Sequence, residues 1–164
     1  MTVDIRKVGV IGAGQMGSGI AQVCAIAGYD VALNDLSEER INAGLATISG
    51  GLQRQVSKGH LTEQDRQEAE GRIKPAPSFE ALGDCDLVIE AATENEAVKR
   101  KIFVDLCPAL RPDAIIGTNT SSISVTRLAA ATDRPERFIG IHFMNPVPVM
   151  QLVEIIRGIA TEDP

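Results

Sequence analysis

Residues 8–28 read Val8-Gly9-Val10-Ile11-Gly12-Ala13-Gly14-Gln15-Met16-Gly17-Ser18-Gly19-Ile20-Ala21-Gln22-Val23-Cys24-Ala25-Ile26-Ala27-Gly28. The apolar run 8–11 suits a buried parallel strand. Gly12, Gly14 and Gly17 follow in G-x-G-x-x-G spacing. Met16, Ile20, Val23, Cys24 and Ala27 then recur at helical intervals, and Gly28 stands where that helix would stop. Each glycine has a task in a dinucleotide fold. Gly12 turns the chain out of the strand, Gly14 admits a pyrophosphate close to the backbone, and Gly17 lets helix and strand pack closely. The free N–H groups at the helix start then face the phosphates.

The glycine spacing alone is weak evidence, and its surroundings strengthen it. A second apolar run, 31–33, ends at Asn34-Asp35, and Asp35 lies eighteen residues after Gly17. An acid at that distance accepts hydrogen bonds from ribose hydroxyls and repels a 2′-phosphate, so NAD is expected rather than NADP.

Composition narrows the class. The chain has 164 residues, enough for one domain with a sizeable core. A net charge of −6 and 3% aromatic residues without tryptophan argue against nucleic-acid binding. No apolar run reaches membrane-spanning length, and the first residues carry no targeting pattern. Cys24, Cys85 and Cys107 form no metal-spaced cluster with histidine, so we expect reduced structural thiols, no metal site and a cytoplasmic protein.

Strand and helix signals alternate, which predicts a doubly wound, mostly parallel α/β sheet of Rossmann type. Ser37 is placed to cap a helix over 38–58, with Gly44, Gly50 and Gly51 expected to weaken or bend its middle. Thr62 opens a second helix over 63–70. Together they read as a helical hairpin protruding from the sheet, a wall for a second ligand. Further strands are expected at 73–74 (ended by Pro75 and Pro77), 85–90, 114–118, 138–142 and 152–156. Helices are expected at 95–110, with Val98, Ile102, Phe103 and Leu106 on one face, and at 124–131. No repeat, low-complexity segment or linker interrupts the chain.

Open parallel sheets bind ligands beyond the carboxyl ends of their strands. That rule selects residues 12–17, Asp35, 91–95, 119–122 and 142–145. His142 is one of two histidines, and Glu154 lies near the following strand. A carboxylate beside an imidazole makes a general acid/base pair. Ser121 and Ser122 either close a turn or orient a substrate oxygen.

Four runs carry a family resemblance: Gly12-Ala13-Gly14-Gln15-Met16-Gly17; Glu90-Ala91-Ala92-Thr93-Glu94-Asn95; Asn119-Thr120-Ser121-Ser122; and His142-Phe143-Met144-Asn145-Pro146-Val147-Pro148-Val149-Met150 with Leu152-Val153-Glu154. In order, and across nearly the whole chain, they resemble the L-3-hydroxyacyl-CoA dehydrogenases, in particular the 3-hydroxybutyryl-CoA type. The resemblance implies NAD-dependent interconversion of L-3-hydroxyacyl-CoA and 3-ketoacyl-CoA. It implies His142 as catalytic base, Glu154 as its orienting partner, and Ser121 bonding the substrate oxygen near the nicotinamide. It places Asn145 at the nicotinamide and the substrate. Gly12, Gly14, Gln15, Met16, Gly17, Asp35, Glu94 and Lys99 fall on the cofactor side. Lys58 is matched to the lysine that meets the coenzyme A phosphates, while the family's frequent serine seven residues earlier is Gly51 here. The family continues into a helical second domain bearing a catalytic asparagine and most of a homodimer interface. Residues 1–164 are therefore expected to be an NAD-binding domain, ending early, with little turnover alone. The alternatives are a β-hydroxyacid dehydrogenase and a non-catalytic nucleotide-binding or structural protein on the same fold.

Overall fold

The computed structural model describes residues 3–163. Seven strands form one sheet: β1 (Lys7–Ile11), β2 (Asp30–Asn34), β3 (Ile73–Ala76), β4 (Leu87–Glu90), β5 (Ile115–Thr118), β6 (Phe138–Phe143) and β7 (Val153–Arg157). Their spatial order is β3-β2-β1-β4-β5-β6-β7. Every pairing is parallel except β6 with β7. The chain winds one way from β1 to β3 and then crosses to β4, which opens a crevice beyond the carboxyl ends of β1 and β4.

Five α-helices cover the sheet: α1 (Gln15–Ile26), α2 (Glu38–Ser57), α3 (Glu63–Arg72), α4 (Glu96–Leu106) and α5 (Val125–Ala129). On one face Val8, Val10, Val31 and Leu33 pack under Ile20 and Ala21 of α1 and Ile48 and Leu52 of α2. On the other, Val88, Ile116 and Phe138 pack against Phe103 and Leu106 of α4 and Leu128 of α5. Phe103 and Phe138 meet edge-on with ring centres 5.0 Å apart.

Several local details differ from expectation. α2 runs without interruption through its glycines, and two of them, Gly44 and Gly51, are points where it lies close against the body. A Cβ on Gly44 would stand 2.8 Å from that of Ala13, and one on Gly51 would stand 2.5 Å from the Gln22 amide oxygen. The hairpin of α2 and α3 is thus packed along α1, with its turn at Lys58 to His60 exposed. β3 continues through Pro75, since an edge strand has one side on which a missing N–H costs nothing. α4 is shorter than expected, giving way to a 3₁₀ turn at Cys107–Ala109 around Pro108. Its buried face carries Lys99, whereas Val98 is 44% exposed.

The three thiols are free, and burial pushes those of Cys24 and Cys85 up to about 11, so they stay protonated at neutral pH. Among the described residues no helix is long and apolar enough to cross a membrane, and no His, Cys, Asp and Glu cluster could hold a metal ion.

Candidate functional site

The crevice at the β1/β4 switch opens into a cavity of about 800 Å³ whose lining includes Gly12, Gly14, Asp35, Arg40, Thr93 and Lys101. Gly12 has φ +102°, a left-handed conformation that other residues rarely adopt. A Cβ on Gly17 would fall 1.6 Å from the Gly12 carbonyl oxygen, so helix and turn meet there only without a side chain. Gly14 faces open space.

The caps distinguish α1 from the other helices. Ser37, Thr62, Asn95 and Ser124 each accept a backbone N–H at the starts of α2, α3, α4 and α5. Gly14, at the start of α1, offers no side-chain cap, and the first turn of α1 has no acid. Its N–H groups and positive dipole end are left for an anion in the crevice. Asp35 lies beside them. Its carboxylate accepts from the Ala13 N–H at 2.7 Å and the Leu36 N–H at 2.6 Å, and Arg40 lies 3.9 Å away. These features fit a dinucleotide: a bare helix end for its phosphates and an acid at the end of β2 for its ribose.

Under the crevice lies a buried polar lattice. Glu90 closes β4 with no solvent exposure. Its oxygens accept from the Lys99 ammonium at 2.7 and 2.8 Å, from the Thr118 hydroxyl at 2.8 Å and from the Ala92 N–H at 2.8 Å. Buried charge is tolerated only when so fully paired. Farther out, the Asn119 side-chain oxygen accepts from the Phe143 N–H at 2.8 Å, joining the end of β5 to the residue after His142. Glu94 accepts hydrogen bonds from Thr120, Ser121 and Ser122. Burial pushes the Glu94 carboxyl up, but the Thr120 and Ser122 hydroxyls, the Lys99 charge and the Ser122 N–H together outweigh it and hold the group below the ordinary carboxylate range.

At the far rim, His142 ends opposite Glu154 in the β6/β7 ladder. The imidazole Nδ1 lies 3.1 Å from Glu154 Oε2. With Nδ1 carrying the proton toward the carboxylate, Nε2 keeps a lone pair and can act as a base. The Gln15 amide donates to Asn145 Oδ1 at 3.2 Å, tying the glycine loop to the segment after β6. Beside this contact, α1, α2 and residues 145–149 enclose a second cavity of about 570 Å³. Lys58 and His60 stand on its rim, and Pro146, Val147 and Pro148 form an apolar wall.

The structure therefore gathers Gly12, Gly14 and Asp35 at the first cavity, packs Gly17 against Gly12 beside it, joins Gln15 to Asn145 and His142 to Glu154, and ties Ser121 to Glu94. Lys58 borders the second cavity. Two residues of the implied cofactor set, Met16 in the first turn of α1 and Lys99 on α4, have side chains turned into the protein. The Met16 side chain is half-buried against the core of the α1 face. Lys99 lies beneath the crevice, with its side chain 1% exposed and its ammonium on Glu90, because that buried carboxylate needs a cation. The supporting roles of Glu90, Thr118 and Asn119 were not singled out from sequence. A Glu ending an apolar strand, with a Lys on the next helix, was the available signal.

Comparison with known proteins follows this geometry. Residues 7–164 match the family model described as 3-hydroxyacyl-CoA dehydrogenase, NAD binding domain. The chain is 65% identical over 163 residues to a 3-hydroxybutyryl-CoA dehydrogenase of Bradyrhizobium diazoefficiens, covering 99% of this chain and 56% of the relative. It is 47% identical over 164 residues to one from Mycobacterium tuberculosis, covering 99% and 57%. The crystal structure of (S)-3-hydroxybutyryl-CoA dehydrogenase PaaH1 from Ralstonia eutropha superposes with a TM-score of 0.95 at 51% identity, covering 98% of this chain and 56% of that one. The chain thus spans about half the length of the curated relatives it matches.

Proposed function

The chain belongs to the 3-hydroxyacyl-CoA dehydrogenase family, by its NAD-binding domain, and from that premise we propose that it serves the NAD-dependent interconversion of L-3-hydroxyacyl-CoA, such as 3-hydroxybutyryl-CoA, and 3-ketoacyl-CoA. NAD, when bound, supplies the hydride acceptor. The rest falls to side chains of this chain. The bare start of α1 binds the phosphates, with Gly12, Gly14 and Gly17 giving access. Asp35 accepts from the adenosine ribose and disfavours a 2′-phosphate. His142 Nε2 takes the proton of the substrate 3-hydroxyl as the C3–H bond breaks, and Glu154 supports the imidazolium that forms. The Ser121 hydroxyl holds the substrate oxygen, and Asn145 lines the reacting end. Lys58 offers its charge to the coenzyme A phosphates at the second cavity. We assign residues 1–164 as the NAD-binding domain, and we place the protein in the cytoplasm as a homodimer whose second, helical domain completes the acyl site.

The observation that carries this reading is the His142–Glu154 pair at 3.1 Å, at the carboxyl end of the sheet that also bears the uncapped helix. A non-catalytic binding protein has no use for an oriented imidazole there. Calorimetric titration of the chain with NADH and NADPH tests the cofactor half. NADH binds, NADPH binds at least tenfold more weakly, and Asp35→Ala narrows that gap. Binding of neither nucleotide overturns the assignment. In a form that turns over acetoacetyl-CoA, His142→Gln lowers kcat by about 10²- to 10⁴-fold with NADH affinity little changed. Equal loss of both refutes the base role.

A further inference from the structure

Thr120, Ser121 and Ser122 present three consecutive hydroxyls on the loop between β5 and α5, and their partners set one apart. The Thr120 hydroxyl donates to Glu94 Oε1 and accepts from the Ile123 N–H at 3.0 Å. The Ser122 hydroxyl donates to the same Glu94 oxygen at 3.0 Å. The N–H groups of Ser121 and Ser122 point at that oxygen too, at 3.2 and 3.3 Å. Among the described residues, the Ser121 hydroxyl has no hydrogen-bond partner, and Ser121 is exposed. Four donors thus converge on one carboxylate oxygen of the loop after β4, and the hydroxyl left over is the one a ligand can use.

We propose that Glu94 is a positioning residue: it clamps the loop after β5 and so aims the Ser121 hydroxyl at the substrate oxygen. The proposal rests on the reading that Ser121 meets that oxygen. Its physical basis is preorganisation. A loop hydroxyl that must be ordered on binding loses affinity to entropy, whereas one already fixed by backbone contacts on either side does not. An ionised carboxylate suits the task because charge-assisted bonds to N–H and O–H are the stronger kind. The Thr120 and Ser122 hydroxyls are consumed in making the clamp.

The test is the affinity of the NADH-loaded chain for acetoacetyl-CoA and for coenzyme A, by calorimetry, in wild type, Glu94→Ala, Glu94→Gln, Ser121→Ala and the double variant Glu94→Ala with Ser121→Ala. We expect Glu94→Ala and Ser121→Ala each to weaken acetoacetyl-CoA binding about 5-fold, the effect of one lost hydrogen bond. Coenzyme A affinity stays unchanged, the double variant is no worse than the singles, and Glu94→Gln, which keeps an acceptor oxygen, recovers part of the loss. Amide exchange at Ser121 and Ser122 rises in Glu94→Ala even without ligand. If Ser121→Ala weakens binding and Glu94→Ala does not, the clamp is refuted while the role of Ser121 stands. If Ser121→Ala has no effect, the role of Ser121 itself falls. If the two losses multiply, Glu94 meets the ligand directly and the positioning role is overturned. If Glu94→Ala does not fold, Glu94→Gln together with Thr120→Val and Ser122→Ala applies the same criteria.

Discussion

The two ends of β4 carry the same chemistry in different service. Asp86 precedes the strand and Glu90 closes it, with the apolar Leu87, Val88 and Ile89 between them. Asp86 accepts from the N–H groups of Arg6 and Lys7 at 2.8 Å each and pairs with Arg111. It fastens the entry of β1 to β4, far from the crevice. The Arg111 side chain is 39% exposed, so water takes over its charge when the partner is gone. Glu90 is fully buried, and so is its cation Lys99. At the amino end the carboxylate is an edge fastening. At the carboxyl end it is a foundation under a binding site, and its partner has nowhere to go. What decides the energetic weight of a carboxylate here is the solvent access of its partner.

That contrast can be broken by mutation. Glu90→Ala strands a buried ammonium and should cost about 3–5 kcal/mol, read as a fall in the urea midpoint. A cost below about 1 kcal/mol would erase the distinction between the two ends. Replacing the pair together, Glu90→Leu with Lys99→Met, should recover much of that loss, since an apolar pair leaves no charge unsolvated. Asp86→Ala should cost less, about 1–3 kcal/mol, with NADH affinity unchanged. Weaker NADH binding in that variant would show that the amino end communicates with the crevice.

The smallest effect concerns pH. Burial pushes the Asp86 carboxyl up, but the N–H groups of Lys7 and Arg6 and the Arg111 guanidinium outweigh it and hold the group below its ordinary value. A carboxyl lowered by folding contributes stability above its unfolded pKa of about 3.9, and that contribution is lost as pH falls through the lower folded value. The stability gap between wild type and Asp86→Ala should therefore be constant from pH 7 to about pH 5 and close below about pH 4. A gap that persists at pH 2 would mean that the lost contacts are those of the neutral group.

Much of the fold was legible in residues 8–35, where apolar run, glycine spacing, helical period and acid fall in register. Local chemistry fixes such features: a helix that starts on glycines has no side-chain cap, whatever surrounds it. The His142–Glu154 pair was half legible. Both residue types were visible, but their contact depends on the antiparallel return of β7. Lys99 and Val98 show where periodicity fails. An apolar stripe puts Val98 inside α4, yet the need to neutralise Glu90 turns Lys99 inward, and that need appears only once β4 and α4 are packed.

By itself, then, the sequence determined the doubly wound order of elements, the dinucleotide loop and the candidates at the strand ends, because periodicity, capping and glycine geometry act over a few residues. The tertiary structure decided which carboxylate is foundation and which is fastening, that α2 runs unbroken through its glycines, and that one hydroxyl of three is left free. Those outcomes turn on burial and on partners 9 to 80 residues away in the chain, which no local pattern encodes.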